Sequence, residues 1–238
     1  MSVSPKAWRP PRPGINTVLD LRMDRLSHRR PHPDGNRSVV EGKEPLNKHE
    51  TRLESAEAAG VLVAVDSPVL SDATWHDALP RPRKTAATAA ILDSVVTVRD
   101  AGDLTCALLD QLGLLRQLTG GFDVETTVRT ARNYLVTGRS GDAVVSLGGT
   151  VAPESSVRLE AVGTQERRTC SFRTDGPAVP TVVTLFDARG AHSARLRYES
   201  GRRASWLALH AALRDGTVPP HALRHFLDDV RLISAEAC

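Results

Sequence analysis

Cysteine is too sparse and too scattered in this chain to organise a fold. Cys106, Cys170 and Cys238 are odd in number and none stands in C-x-x-C spacing, which excludes a disulfide-stapled scaffold and fits a reduced, cytoplasmic compartment. Aromatic residues are rare at 4%, although a hydrophobic fraction of 40% still suffices for a core. No run approaches the ~20 apolar residues of a membrane span, and the start, Met1 to Pro13, lacks the apolar centre of a secretory signal. The fingerprints of common chemistries are missing as well. There is no G-x-S-x-G elbow, no P-loop, no G-x-G-x-x-G and no H-E-x-x-H, so Ser140-Gly141-Asp142 and Gly148-Gly149 read as turns.

Charge is modest. A net charge of +3 and a pI near 9.0 do not by themselves signal a nucleic-acid binder. Arginine in excess of lysine, with abundant Ala, Val and Leu, has the texture of a GC-rich bacterial genome.

Ten of the fifteen prolines fall in residues 5 to 82. Residues 1–83 are therefore expected to be a Pro/Arg-rich, largely disordered tail, because such a segment buries too little apolar surface to offset its ordering entropy. Ile15 to Leu26 could become ordered on a protein partner, and residues 55 to 66 could add a short element. Arg9, Arg12, Arg29, Arg30 and Arg37 could meet an acidic surface, but interleaved acids dilute their field and nucleic acid is not expected.

Residues 84–238 read as one α+β domain, an antiparallel β-sheet meander flanked by N-terminal and C-terminal helices. Ala87, Ile91, Leu92 and Val95 give Thr85 to Val98 a helical spacing. Leu104, Leu108, Leu109, Leu112 and Leu115 form the stripe of a second helix that Gly120-Gly121 ends. Seven strands follow, at 124–129, 133–137, 143–147, 156–162, 169–173, 181–186 and 193–199, separated by turn residues. Helices at 203–214 and 221–233 close the chain.

The most informative segment runs from Thr181 to Tyr198. An apolar strand ends at Phe186, Asp187 and Gly190 build a turn, and a second strand alternates through Leu196. Thr184-Leu185-Phe186-Asp187-Ala188-Arg189-Gly190 resembles the strand and turn of the haem-utilisation family, the HemS and ChuX type. Gly201-Arg202 with Trp206, Leu209 and Leu213 is similar to that family's Gly-x-Arg and Trp-bearing helix. Val157-Arg158-Leu159 occupies the place of its Asp-Leu-Arg strand, and Thr130-Ala131-Arg132-Asn133 before Gly138 resembles its Thr-Arg-Asn element. The resemblance spans residues 102–214 and implies one repeat, in a homodimer, of an intracellular haem-binding or haem-trafficking protein without catalysis.

Under that resemblance haem is the cofactor and the partner. An axial ligand comes from His192 or Tyr134, and propionate contacts come from Arg158, Arg195, Arg197 and Arg202. The same residues also fit a solvent-facing polar stripe, and Tyr134 fits amphipathic packing. His210, the i, i+4 pair His221 and His225, and Cys170 are further candidates that ordinary surface or strand positions explain equally. A different reading makes the sheet a scaffold and the tail the recruiter of a protein partner, a regulatory or interaction module.

Overall fold

A computed structural model of the chain describes residues 18–20, 64–79, 89–173, 179–215 and 223–235. The expectations for the rest of the tail, and for His221, lie outside these residues. Two short strands, β1 (Val18–Asp20) and β2 (Ala64–Asp66), pair in parallel. Helix α1 (Ala73–Ala78) follows, capped by Asp72, whose carboxylate accepts from the Trp75 amide at 2.9 Å.

The body is an eight-stranded sheet. Its strands are β3 (Ala89–Val98), β4 (Asp123–Arg129), β5 (Asn133–Ser140), β6 (Ala143–Val151), β7 (Ser156–Gly163), β8 (Arg167–Arg173), β9 (Val182–Asp187) and β10 (Gly190–Ser193), in the spatial order β10-β9-β8-β7-β3-β6-β5-β4. All neighbours run antiparallel except β3 and β6, which are parallel. That single parallel pair places β3 between β6 and β7 and so breaks the expected simple meander. Helix α2 (Leu104–Thr119) covers one face, and α3 (Gly201–Asp215) and α4 (Leu223–Ala235) end the chain.

The α+β class and its mostly antiparallel sheet are present, but the helix expected at 85–98 is a correction. Residues 89–98 form a central strand. Leu92, Ser94, Val96 and Val98 turn inward, while Ile91 and Val95 lie on the opposite face. The period is two, and the β-branched Val95-Val96-Thr97-Val98 run suits a strand that is hydrogen-bonded on both sides. The last strand, expected at 193–199, lies instead at Gly190–Ser193. Strand β10 stops at Ser193, and residues 194–200 leave the sheet.

The core lies between the sheet and α2. Leu108, Leu112 and Leu115 from the helix meet Leu92, Val96, Val145, Leu147, Val157 and Leu159 from the strands, all buried. Gly120 ends α2 in the left-handed region at φ 85°, with its amide returning to the Arg116 carbonyl. Residues 64–79, ahead of the boundary expected near residue 84, pack on this body. Trp75 is fully buried, meets the Phe172 ring edge-on at 5.8 Å, and donates its indole N–H to Gln117 at 2.6 Å.

Tyr134 lies flat over Gly149, so closely that any Cβ there would enter its ring. Gly149→Ala is therefore expected to lower stability by about 1–3 kcal/mol. The check is a urea midpoint shift with an unchanged slope.

Candidate functional site

Two elements meet at the carboxyl end of β2. The turn that follows it, residues 67–72, is folded onto α2, where Gly113 leaves room for the Leu70 side chain and a Cβ would collide with it. Within the turn the Ser71 amide donates to the Ser67 carbonyl at 3.1 Å, and the Leu70 amide donates to the Ser67 hydroxyl at 3.2 Å. The Ser67 hydroxyl in turn donates to the Asp110 carboxylate at 2.6 Å. Ser71 is buried, and its hydroxyl has no hydrogen-bond partner among the described residues. A buried hydroxyl left unpaired costs free energy, so it marks either strain or a place kept for another group. The Asp72 carboxylate is held from two sides, by the Trp75 amide and by the Thr181 hydroxyl at 2.6 Å.

Directly behind Asp110 runs a buried polar chain. The Tyr134 hydroxyl donates to Gln111 at 2.6 Å, and the Gln111 amide donates to the Ser94 carbonyl, the Ser94 hydroxyl and the Gly148 carbonyl. Burial, and then the Asp110 charge, push the Tyr134 phenol far above its ordinary pKa, so it stays a proton donor. The set at this end of the molecule is thus acidic and hydroxylic, and it accepts and donates hydrogen bonds.

The expected haem contacts are not brought together. His192 sits on the edge strand β10, exposed, with its ring nitrogen 3.3 Å from Asp187. The Arg189 amide, donating at 2.7 Å, holds the Asp187 carboxyl below the usual carboxylate range, and His192 adds to the effect. Arg197 leaves the sheet altogether, donating its amide to Thr74 and pairing with Asp77 at 2.6 Å. Arg195 lies in the same strand-free stretch, and Arg202 is on exposed α3. Arg158 lies on the uncovered face of the sheet beside Glu160, whereas Tyr134 is buried on the helix-covered face. A single macrocycle cannot reach both sides of a sheet.

The other candidates are dispersed too. Cys170 is buried in β8, where desolvation pushes its thiol well up and keeps it neutral. His210 stacks loosely on Trp206, which is 44% exposed and hence no core residue. His225 is exposed on α4. Among the described residues no cluster of metal-ligating side chains occurs, and no helix is long and apolar enough to cross a membrane.

Ser67, Ser71 and Asp110 escaped the sequence reading. The Val61-Leu62-Val63-Ala64-Val65 run before Asp66-Ser67-Pro68 is a strand-and-turn signal, but it stands among the prolines of the expected tail. Asp110 was hidden as a polar position within a leucine stripe.

No protein-family model matches the chain, and no curated protein matches it in sequence. Its fold is nevertheless shared by solved structures. A dehydrogenase, MviM, from Clostridium difficile superposes with a TM-score of 0.63 at 6% identity, over 81% of this chain and 67% of that one. A 3-ketoreductase from Actinomadura kijaniata, solved with TDP-benzene and NADP, gives 0.60 at 16% identity over 79% and 64%. UDP-N-acetylglucosamine 3-dehydrogenase GnnA from Acidithiobacillus ferrooxidans gives 0.56 at 13% identity over 82% and 74%. The chain thus spans roughly two thirds to three quarters of the length of these structures. Their names are those of two dehydrogenases and a ketoreductase.

These likenesses overturn the haem-utilisation resemblance. The strand and turn at Thr184–Gly190 belongs to the edge of the eight-stranded sheet. Haem as cofactor and partner, the haem-trafficking role and the ligand roles of His192, Tyr134 and the arginines go with it. The physical reason is that Phe-Asp-x-x-Gly specifies a tight hairpin, which any antiparallel sheet can use.

Proposed function

We propose that this protein acts in the oxidoreductase class of its structural neighbours, on a polyhydroxylated, sugar-type ligand bound where β2 meets α2. The observation that carries this reading is the acid-and-hydroxyl set at the carboxyl end of β2: Asp110 with Ser67 at 2.6 Å, and the unpartnered buried hydroxyl of Ser71. In parallel β-structure, ligands bind beyond the carboxyl ends of the strands. Two neighbours carry names that fit such chemistry, a 3-ketoreductase solved with NADP and TDP-benzene and a dehydrogenase of a UDP-sugar.

A nicotinamide cofactor, when bound, supplies or takes up hydride. Its ribose suits this set, because ribose hydroxyls can donate to Asp110 and accept from the Ser71 hydroxyl. Its pyrophosphate does not. The sequence has no G-x-G-x-x-G, the carboxylates of Asp72 and Asp110 repel anions, and Asp72 already occupies the amide at the start of α1. No described residue cradles a pyrophosphate. What the chain's own groups do is orient hydroxyls, and Asp110 is the carboxylate placed to accept a proton from one of them.

That mismatch favours a second reading, in which the site binds a sugar-type ligand without redox turnover. Calorimetric titration with UDP- and TDP-sugars and fluorescence titration with NADPH separate the two. Binding of both supports the oxidoreductase reading, binding of the sugar nucleotide alone supports the second, and binding of neither removes both. Asp110→Asn is expected to weaken sugar-nucleotide binding about 10- to 100-fold, the worth of one hydrogen bond to a charged group.

A further inference from the structure

Two buried polar atoms at one end of the sheet lack a hydrogen bond, and they belong to a single ion pair. Arg168 lies in β8 two residues before the buried Cys170, and so faces the α2 side. Its side chain is only 11% exposed, yet its Nη1 atom has no hydrogen-bond partner among the described residues. Glu166, in the turn before β8, lies 3.7 Å from the guanidinium, and its Oε1 is likewise buried without a hydrogen bond. That separation is too long for a hydrogen bond. Two desolvated groups that stop short of each other mark a place for a third group between them.

The strand register gathers further residues around this pair. Arg168 stands opposite Ala161 on one side and Leu185 on the other, and Leu185 stands opposite His192. Burial falls along this row, from half-buried Ala161 and Leu185 to exposed His192, so the covering layer thins towards β10. Asp187, two residues after Leu185, shares the same face and lies 3.3 Å from the His192 ring nitrogen. Both carboxylates are placed by tight turns. The Gly163 amide donates to the Glu166 carbonyl at 2.8 Å, and the Arg189 amide donates to the Asp187 carboxylate at 2.7 Å. Their positions are therefore set before a ligand arrives.

We propose that Arg168, Glu166, Asp187 and His192 form a binding site for the hydroxyls of a neutral sugar ring, with Leu185 as its apolar floor. The two unpaired atoms select this class. Nη1 can only donate and an ionised Oε1 can only accept, so the missing group must accept and donate at once. A hydroxyl does both. An ionised phosphate or carboxylate brings no proton for Glu166 and meets two negative charges, and an ammonium brings no acceptor for Arg168. Leu185, between the guanidinium and the imidazole, suits the C–H face of a pyranose, and the small Ala161 leaves space beside Arg168. The site is separate from the β2 turn. Thr181, which holds Asp72, lies six residues before Asp187, about 20 Å along an extended chain.

The test is proton–nitrogen correlation NMR of the full chain, titrated with methyl β-glucopyranoside, methyl β-galactopyranoside and methyl α-mannopyranoside. At least one glycoside is expected to bind with a dissociation constant of about 1 millimolar and to shift the amides of Ala161, Leu185 and Gly190. Glu166→Gln should weaken that binding about tenfold, because a charged acceptor becomes a neutral one. Combining it with Arg168→Leu should abolish the shifts while the thermal midpoint stays level or rises, since both members of a half-buried ion pair are then removed. Asp110→Asn should leave this titration unchanged. Absence of binding by all three glycosides at about 50 millimolar would overturn the proposal. So would shifts confined to residues 67–72. Binding that survives the double variant would assign the two free atoms to an ordered water instead. Because the readout is local to β8 and β9, failure here is distinguishable from failure of the reading at the β2 turn.

Discussion

Replacing Trp75 by alanine is expected to cost about 4 kcal/mol of unfolding free energy. The indole is completely enclosed, stacks edge-on against Phe172, and its N–H is satisfied by Gln117. Truncation of a buried Trp removes its transfer free energy and leaves a cavity, typically about 3–5 kcal/mol. It also removes the hydrogen bond to Gln117, a loss of about 1 kcal/mol. Because whole domains are stable by only about 5–15 kcal/mol, a loss of this size takes a large share of the margin. Urea denaturation followed by far-ultraviolet circular dichroism reads it directly. A loss below about 1 kcal/mol would show that residues 64–79 are an appendage, since only a segment integral to the core can transmit such a penalty to the sheet. Trp75→Phe, which keeps the ring contact and loses the donor, should cost distinctly less.

The second large effect belongs to Gln111. Its side chain is wholly buried on α2 and joins three partners that lie on separate strands: Tyr134 on β5, Ser94 on β3 and the Gly148 carbonyl on β6. Gln111→Leu preserves bulk and removes every one of those bonds. The Tyr134 hydroxyl loses its partner in a buried site, and the oxygens of Ser94 and Gly148 lose the Gln111 donor, the Ser94 hydroxyl keeping its bond to the Arg158 carbonyl. At about 1–3 kcal/mol for each buried group left unpaired, with part of the loss offset by apolar gain, a net cost of about 3 kcal/mol is expected. Tyr134→Phe alone should cost about 1 kcal/mol. In the Gln111→Leu background the same Tyr134→Phe change should be nearly neutral or stabilising, because the orphaned hydroxyl is then removed as well. Additive losses in the double variant would show that Tyr134 and Gln111 do not act as one network.

The strands of the second half were legible because their period of two is undisturbed. Val145 and Leu147, like Val157 and Leu159, alternate with outward residues, and turns such as Ser140-Gly141-Asp142 punctuate them. Helix α2 was legible from its leucine stripe and from Gly120. Residues 85–98 were not, because apolar residues on both faces of a central strand imitate any period. Leu92 and Val96 serve the core while Ile91 and Val95 serve the other face, and i, i+3, i+4 coincidences follow without a helix. The candidate site was illegible for a different reason. Ser67 and Asp110 are 43 positions apart, and neither belongs to a motif. Only the close packing of the 67–72 turn on Gly113 brings them within a hydrogen bond. The family resemblance failed on the same ground, since a hairpin and a helix in the right order do not specify how the strands are ordered in the sheet.

Composition and alternation alone determined an α+β chain with a mostly antiparallel sheet and helices around it, because side-chain periodicity is a local property of the backbone. The insertion of β3 between β6 and β7, the separation of Arg158 from Tyr134 across the sheet, and the meeting of Ser67 with Asp110 were decided only in the tertiary structure. Each depends on contacts between residues far apart in the chain, and those are settled by which faces can be buried together.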